Sequence, residues 1–316
     1  MTILVTGGAG FIGSHVCDEL LARGKEVVCV DALNTYYAPK EKLKNISHNL
    51  SNPNFRFFTN NIREKNKMEE LFNQFNFEGI IHLAARGGVR ASITDPLAYR
   101  DTNVNGTLNL LHLAKEHNIK KFVFASSSSV YGNCKQAPFK ETENISTPDS
   151  PYAASKASCE VFAHSYSHLY GTPITALRFF TVYGPRNRPD MAVYKFAKAI
   201  QEEKPIELYE GGELKRDFTY IKDIVTGILN AYEHCNQGFQ VFNLGNSTPI
   251  KTKYLVELLE QHLGKKAIIT TPPKPKSDID LTHADVSKAK ELLNWEPTTK
   301  IEEGIPKFVE WFKKNG

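Results

Sequence analysis

The chain has 316 residues, of which 41% are hydrophobic and 23% are charged. This length and composition are those of a folded protein with a sizeable core, and they exclude a disordered or fibrous chain and a small disulfide-stapled scaffold. The 39 basic and 35 acidic side chains are interleaved along the chain and leave a net charge of +4, which gives no support for a nucleic-acid-binding surface.

The predicted elements alternate between short apolar runs and amphipathic stretches through the first half of the chain. In chain order, strands are predicted at 2–5, 26–30, 79–83 and 121–125, and helices at 14–23, 67–75 and 107–117. Strands that are almost wholly apolar and separated by helices are typical of a parallel sheet covered on both faces. The predicted fold class is therefore α/β, with a Rossmann-type doubly wound parallel sheet.

The pattern of elements changes after the middle of the chain. A Gly/Pro-rich stretch at 183–189 is typical of a loop, while the apolar run 241–244 again predicts a strand of the main sheet. We therefore predict a first domain at 1–178 and a smaller C-terminal α/β substrate lobe at 179–316, with the chain returning to the first domain around 218–250.

A glycine-rich turn follows the first predicted strand and contains Gly7, Gly10 and Gly13. Glycines allow a tight turn and let backbone N–H groups approach a pyrophosphate, while the N-terminus of the next helix adds a favourable dipole. Asp31 ends the second predicted strand, where a carboxylate accepts hydrogen bonds from the adenosine ribose hydroxyls. No arginine directly follows Asp31 to bind a 2′-phosphate, so we predict NAD rather than NADP as the cofactor.

Two further segments predict catalytic side chains. Tyr152 and Lys156 are spaced i and i+4, which places both on one face of a helix. A tyrosine has a reference pKa of about 10, so it acts as a base at neutral pH only beside a positive charge such as that of Lys156. The serines at 126–129 follow the predicted strand 121–125 and face the crevice where ligands of such sheets bind.

Together these features resemble the extended short-chain dehydrogenases/reductases, and within them the NAD-dependent nucleotide-sugar epimerases. The resemblance covers essentially the whole chain, including the string Leu-Asn-Trp-Glu-Pro at 293–297. Three longer strings, at 34–39, 178–191 and 216–221, are similar to those of the UDP-glucuronate 4-epimerases. The resemblance implies C4 epimerisation of a UDP-sugar through a 4-keto intermediate, with UDP-glucuronate and UDP-galacturonate as the expected pair.

The site residues of that family carry over by position. The expected catalytic residues are Tyr152, Lys156 and Ser127. The expected NAD-binding residues are Gly7, Gly10, Phe11, Ile12, Gly13, Asp31, Asn34, Asn61, Ile62, Leu83, Ala85, Asn103, Ser126, Tyr152, Lys156 and Phe179. The expected substrate-binding residues are Ser127, Ser128, Ser129, Thr181, Arg188, Arg216 and Asp278. The resemblance implies that Arg216 binds the diphosphate, that Arg188 lies near the sugar carboxylate and that Asp278 lies near the uridine ribose.

The main alternative is a 4-epimerase for UDP-glucose and UDP-galactose, or for UDP-N-acetylhexosamines, and mainly the string around Arg188 separates it from a uronate epimerase. UDP-glucuronate decarboxylases and related dehydratases carry acidic residues where this chain has Ser128 and Ser129, which disfavours both. A regulator that binds NAD without catalysis is disfavoured because Tyr152 and Lys156 are both present.

The remaining features concern location and partners. The five cysteines are far apart and lack metal-binding spacing, so we expect free thiols in a reducing compartment and no metal site. The N-terminus lacks the features of a signal peptide, and no segment approaches the ~18 apolar residues of a membrane helix. We therefore expect a soluble cytoplasmic protein that binds neither membrane nor nucleic acid. The resemblance implies a homodimer formed through the helices around 107–117 and 153–167.

Overall fold

The structure is a computed structural model that describes residues 1–275 and 278–316. Within these residues the strands are β1 (Thr2–Thr6), β2 (Glu26–Val30), β3 (Phe55–Phe58), β4 (Phe77–His82), β5 (Lys121–Ser127), β6 (Ile174–Phe179), β7 (Thr181–Tyr183), β8 (Pro205–Glu207), β9 (Lys215–Arg216), β10 (Phe218–Tyr220), β11 (Phe239–Leu244), β12 (Ile250–Lys251) and β13 (Ile268–Thr270). The α-helices are α1 (Phe11–Ala22), α2 (Pro39–Ile46), α3 (Lys65–Gln74), α4 (Val89–Thr94), α5 (Pro96–Tyr99), α6 (Gly106–Glu116), α7 (Pro151–Tyr170), α8 (Ala192–Gln201), α9 (Ile221–Glu233), α10 (Thr252–Leu263), α11 (Ser287–Leu293) and α12 (Ile301–Asn315). A π-helical turn covers Arg100–Asn105, and a 3-10 turn covers Ser128–Tyr131.

The central sheet has seven parallel strands in the order β11-β6-β5-β4-β1-β2-β3. The chain runs outward from β1 in both directions, through β2 and β3 on one side and through β4 to β6 on the other. A crevice therefore opens at the carboxyl ends of β1 and β4, where ligands bind in sheets of this kind. The predicted Rossmann-type fold class is confirmed.

Alternate side chains of the strands pack on opposite faces of the sheet. Ile3 and Val5 of β1 belong to a core that includes helices α1 and α9. Leu4 faces the other way and packs in a second core with helices α3, α6 and α7. Because both faces are covered, the inner strands are apolar along nearly their whole length, which is the pattern that predicted them.

The strands and helices predicted in the first half are all present, with ends shifted by a few residues. Strand β3 and helix α2 were not predicted. Strand β3 lies at the edge of the sheet and is half-buried, so its sequence lacks a continuous apolar run. Helix α2 buries only Lys42 and Ile46, so it has little apolar periodicity.

The part of the chain after β6 contributes to two places. Strand β11 pairs with β6 and extends the central sheet. The short pairs β7–β10, β9–β12 and β8–β13 and the contacting helices α8, α10 and α12 form a smaller α/β group beside it. The predicted domain limits stay a prediction. Within the described residues, no helix combines the length and the apolar character needed to cross a membrane.

Candidate active site

A cavity of about 490 Å³ opens at the carboxyl ends of the central strands. The predicted site residues that line it are Gly7, Gly10, Phe11, Ile12, Gly13, Asp31, Asn34, Asn61, Ile62, Leu83, Ala85, Ser126, Ser127, Ser128, Ser129, Tyr152, Lys156, Phe179, Thr181 and Arg188. A second cavity of about 220 Å³ shares Ser128, Ser129 and Thr181 with the first and is also lined by Arg216 and Asp278. Residues far apart in sequence thus meet in two adjoining cavities, and Asn103 is the predicted residue that lines neither.

The glycine turn has the shape of a dinucleotide cradle. Gly7 has a φ of +70°, and a Cβ there would lie 2.7 Å from the backbone nitrogen of Ala84. A Cβ on Gly13 would collide with the carbonyl oxygen of Gly7, so helix α1 starts closer to the turn than any side chain would allow. The first N–H groups of a helix have no partner within the helix, and those of α1 border the cavity. The turn therefore fits the pyrophosphate of NAD.

The carboxylate predicted to bind the adenosine ribose lies at the end of β2. Asp31 is buried, and its Oδ1 accepts a hydrogen bond of 2.9 Å from the backbone N–H of Leu33. The buried Nζ of Lys42 lies 3.5 Å from that oxygen and donates to Oδ1 of Asn34 over 2.9 Å. Lys42 was not predicted as a site residue, because helix α2 has too little apolar periodicity to show which of its faces is buried.

The side-chain amide of Asn61, predicted to contact the adenine, already accepts hydrogen bonds from within the protein. Oδ1 of Asn61 accepts hydrogen bonds from the backbone N–H and from Nε of Arg63, over 3.1 and 3.3 Å. Ile62 is buried beneath it and packs against Gly106. The side-chain carbonyl of Asn61 therefore needs to share or exchange these donors to accept from an adenine amino group.

A histidine is buried directly below the glycine turn. Its Nδ1 lies 2.7 Å from Oγ1 of Thr6, and its Nε2 lies 3.0 Å from Oγ1 of Thr107. Burial, with a smaller contribution from the charge of Lys156, lowers the pKa of His82 from 6.5 to about 3. His82 is therefore a neutral structural link between β1, β4 and α6 rather than an acid or a base.

Helix α7 carries the predicted catalytic pair. It begins at the N-cap Ser150, whose hydroxyl accepts a hydrogen bond from the backbone N–H of Ala153 over 3.1 Å. Lys156 is buried, and its Nζ donates to the carbonyl oxygen of Ala125 at the end of β5 over 2.7 Å. The ring of Tyr152 faces the cavity and meets the edge of the Tyr99 ring, with centroids 6.1 Å apart. One carbonyl thus fixes the ammonium and leaves its other N–H donors for the tyrosine and for a ligand.

A buried ion pair lies one turn further along α7. Glu160 accepts a fork from Arg178 of β6, over 3.0 Å from Nε and 2.7 Å from Nη2. Burial alone would lower the pKa of Arg178, but its hydrogen bonds to Glu160 raise it above its usual value. The Ser126 hydroxyl donates to Glu160 over 2.5 Å, so that serine is tied to the ion pair. Sequence reasoning missed Glu160, although it continues the i, i+4 spacing of Tyr152 and Lys156.

The next serines form a tight turn. Oγ of Ser127 accepts a hydrogen bond from the backbone N–H of Ser129 over 3.1 Å and caps the 3-10 turn Ser128–Tyr131. The turn ends at Tyr131, whose hydroxyl donates to Asn243 over 2.6 Å. This geometry directs Ser128 and Ser129 toward both cavities.

Asn103 lies in the π-helical turn and is buried. Its side chain bonds to the backbone N–H and carbonyl of Arg86 over 2.8 and 3.0 Å, and donates to Oγ of Ser155 over 2.9 Å. Asn103 therefore fastens the loop after β4 to helix α7. Its direct contact with NAD stays a prediction.

The arginine predicted to meet a sugar carboxylate already has a carboxylate partner. Nε and Nη2 of Arg188 donate to the two carboxylate oxygens of Asp190 over 2.9 and 2.6 Å. Its guanidinium also lies beside the Tyr36 ring, with Cζ 5.5 Å from the ring centre. Burial would lower the pKa of Arg188, but the hydrogen bonds and charge of Asp190 raise it above its usual value.

Arg216 and Asp278 form an ion pair in the second cavity. A second arginine, Arg90 of α4, lies 3.5 Å from the other oxygen of Asp278 and over the ring of Tyr209, 4.8 Å from its centre. Two guanidinium groups thus converge on one carboxylate. Arg90 was missed, although its place shortly after β4 put it at the same edge of the sheet.

The chain is similar to known proteins over nearly its full length. Residues 4–308 match the family described as GDP-mannose 4,6 dehydratase. The chain is 45% identical over 313 residues to a UDP-glucuronate 4-epimerase of Thermodesulfobacterium geofontis, covering 99% of this chain and 96% of that protein. A crystal structure of UDP-glucuronic acid 4-epimerase from Bacillus cereus, in complex with UDP-glucuronic acid and NAD, is 36% identical, with a TM-score of 0.94 and 99% of each chain covered. UDP-glucose 4-epimerase from Thermotoga maritima, crystallised with UDP-glucose, is 35% identical, with a TM-score of 0.91 and 99% of each chain covered.

Proposed function

Because the chain belongs to the GDP-mannose 4,6-dehydratase family of extended short-chain dehydrogenases/reductases, we propose that it is an NAD-dependent epimerase that interconverts UDP-glucuronate and UDP-galacturonate. The similarity to UDP-glucuronate 4-epimerases over nearly the full length supports this activity. The observation that carries the proposal is the single cavity that brings Tyr152 and Lys156 together with Arg188 and the serine turn.

NAD is the cofactor of the proposed reaction. The glycine turn would hold its pyrophosphate, while Asp31, with Lys42 and Asn34 beside it, would hold the adenosine ribose. When bound there, NAD supplies a hydride acceptor and later a hydride donor for C4 of the sugar.

Tyr152 is the proposed base. Its phenolate removes the proton of the sugar 4-hydroxyl when C4 is oxidised, and the phenol returns a proton when the 4-keto group is reduced. Lys156 stabilises the phenolate, because its ammonium is buried on the same helix face and anchored by the carbonyl of Ala125. The hydroxyl of Ser127, at the start of the serine turn, donates a hydrogen bond to the same sugar oxygen.

Inversion at C4 requires that the 4-keto sugar presents its other face before the hydride returns. The enzyme must therefore hold the UDP portion firmly and the sugar loosely. We assign the tight binding of UDP to the second cavity. There Arg216 and Arg90 provide guanidinium groups for the diphosphate, and Asp278 provides an acceptor for the uridine ribose. The short hydroxyls of the serine turn and Thr181 leave space for the ring to turn.

The carboxylate of a uronate is the feature that separates the two epimerase candidates. Arg188 is the proposed partner of that carboxylate, with Ser128, Ser129 and Thr181 as neighbouring donors. A UDP-glucose/UDP-galactose 4-epimerase is the second candidate, and the pairing of Arg188 with Asp190 favours it because this pair neutralises the cation. The absence of an acidic residue at 128 and 129 disfavours decarboxylation.

Two substitutions test these assignments. Tyr152→Phe should leave NAD bound and abolish turnover. Tyr254→Phe is the control and should behave as wild type, because the Tyr254 hydroxyl donates to the exposed Glu302 outside both cavities. Near-normal turnover in Tyr152→Phe contradicts the proposed base. Arg188→Ala should impair UDP-glucuronate selectively, and an equal loss with UDP-glucose contradicts the role in binding the carboxylate.

We also propose that the protein is a cytoplasmic homodimer. The five cysteines are unpaired, as expected in a reducing compartment. Helix α7 exposes Val161 and Leu169, which are 65% and 64% accessible, and side chains of this kind support a contact with a second copy. Sedimentation equilibrium should give twice the mass of the chain, and a monomer at micromolar concentration contradicts the proposal.

A further inference from the structure

Three loops meet at the end of the larger cavity that holds Tyr152. The Tyr36 hydroxyl, from the loop after β2, donates to the carbonyl oxygen of Gly87 over 2.6 Å and lies 3.3 Å from Oδ2 of Asp190. The Tyr99 hydroxyl donates to the same carbonyl over 2.6 Å, and its ring meets that of Tyr152. The segment before α8, which carries Asp190, is thereby joined to the loops around the catalytic tyrosine.

Asp190 occupies one edge of the Arg188 guanidinium. The Nε and Nη2 donors form a fork with its two oxygens, and Nη1 lies against Gly87, where an added Cβ would be 2.7 Å away. Burial raises the pKa of Asp190, but its hydrogen bonds and pairing with Arg188 outweigh this effect and lower it, so the carboxylate is ionised at neutral pH. The Nε/Nη2 edge that Asp190 occupies is one of the two guanidinium edges that bind a carboxylate in two parallel hydrogen bonds, and Gly87 borders Nη1 on the other edge.

The pair of Arg188 and Asp190 is only partly buried, which allows a ligand to replace Asp190. The side chains of Arg188 and Asp190 are 25% and 35% exposed, whereas those of the equally forked pair Arg178 and Glu160 are 3% and 4% exposed. Partners of a fully buried pair cannot separate without leaving an uncompensated charge, whereas a pair that solvent reaches loses less when its partners separate. Arg188 lines the cavity, so a ligand carboxylate can take the place of Asp190.

We infer that Asp190 is a positioning residue: it competes with the sugar carboxylate for Arg188 and so weakens the binding of a uronate. This inference rests on the proposed function, since only a sugar that carries a carboxylate engages it. The keto ring has to leave its first orientation before reduction, and a guanidinium without an internal partner would oppose that movement. Binding that is equally strong before and after the turn lowers KM without raising kcat. While Arg188 holds the substrate, the Tyr36 hydroxyl can turn its one proton from the Gly87 carbonyl to Asp190, 3.3 Å away, because the Tyr99 hydroxyl still donates to that carbonyl.

The test compares Asp190→Asn with wild type in the NAD-saturated protein. The dissociation constant of UDP-glucuronate, measured by calorimetry in a Tyr152→Phe background, should fall about fivefold, the upper range for a pair that solvent reaches. KM for UDP-glucuronate should fall, kcat should fall as well, and UDP-glucose should bind as before. Asp190→Ala should show the same shifts. Asp18→Asn is the matched control, because it removes the neighbouring pair with Arg186, which lines neither cavity.

An additional Arg188→Ala substitution should abolish the effect of Asp190→Asn. Unchanged or weaker binding of UDP-glucuronate, an equal gain for UDP-glucose, or an effect that persists without Arg188 overturns the inference. If wild type epimerises UDP-glucuronate and Asp190→Asn does not differ from it, the inference alone fails. If wild type binds UDP-glucuronate but produces no UDP-galacturonate, the proposed function fails.

Discussion

The buried ion pair between Glu160 of α7 and Arg178 of β6 provides a quantitative test of its contribution to the stability of the fold around the site. Glu160→Gln keeps an amide oxygen that accepts from the Ser126 hydroxyl, but it removes the carboxylate to which Arg178 is hydrogen-bonded. Both ionic side chains are at most 4% exposed, so water cannot compensate for the lost charge. Removal of one partner from a buried pair costs about 3–5 kcal/mol. Glu160→Gln should therefore lower the free energy of unfolding by that amount.

The assay is urea unfolding of the variant and of a matched control. Glu19→Gln removes one of the two carboxylate partners of Arg23, which keeps Glu233 at 2.9 Å. The side chains of Glu19 and Arg23 are 45% and 36% accessible, so this variant should cost less than about 1 kcal/mol. The double replacement Glu160→Leu/Arg178→Met should cost less than Glu160→Gln, because it leaves no buried charge. A loss below about 1 kcal/mol for Glu160→Gln, or equal to that of the control, refutes the assignment of Glu160 as an essential counterion.

Three further predictions concern acid stability, the cofactor and the nucleotide. Below pH 6.5 His82 is protonated in the unfolded chain but stays neutral in the folded protein down to about pH 3, so the free energy of unfolding should fall as the pH is lowered through this window. In urea unfolding, His82→Asn should reduce the slope of that free energy against pH by up to about 1.4 kcal/mol per pH unit. An unchanged slope contradicts this role of His82. Gly13→Ala should abolish NAD binding in a fluorescence titration because its Cβ collides with Gly7. Gly24→Ala should retain NAD binding, because a Cβ there meets nothing within 4 Å and the strain of its φ of +72° costs only stability. Arg216→Ala should raise KM for UDP-glucuronate and UDP-glucose alike, by at least about tenfold, with kcat little changed; a selective effect on one substrate contradicts a role at the shared diphosphate.

The parts of the fold that follow from local pattern were predictable from the sequence. The inner strands are apolar because both faces of the sheet are covered. The glycine turn is recognisable because glycines stand where the backbone geometry leaves no room for a side chain. Strand β3 and the short strands β7 to β10, β12 and β13 carry too few residues or too mixed a pattern to show periodicity. Their existence depends on partners that only the folded chain supplies.

At the site, residue types were predictable but their hydrogen-bond partners were not. The serine run, the tyrosine-lysine spacing and Arg188 were visible in the sequence. The attachment of Ser126 to Glu160, of Asn103 to the loop after β4, and of Arg188 to Asp190 depends on which elements meet in three dimensions. Charged side chains carry no periodic signal of their pairing, so the cations at Lys42 and Arg90 were also found only in the structure.

C4 epimerisation of a UDP-uronate is tested by the identity of the product. The purified protein is incubated with UDP-glucuronate, and in parallel with UDP-galacturonate, UDP-glucose and UDP-N-acetylglucosamine, and the products are identified by NMR. UDP-glucuronate and UDP-galacturonate should reach the same mixture from either side, without loss of carbon. A UDP-pentose product, or turnover confined to the neutral sugars, would contradict it.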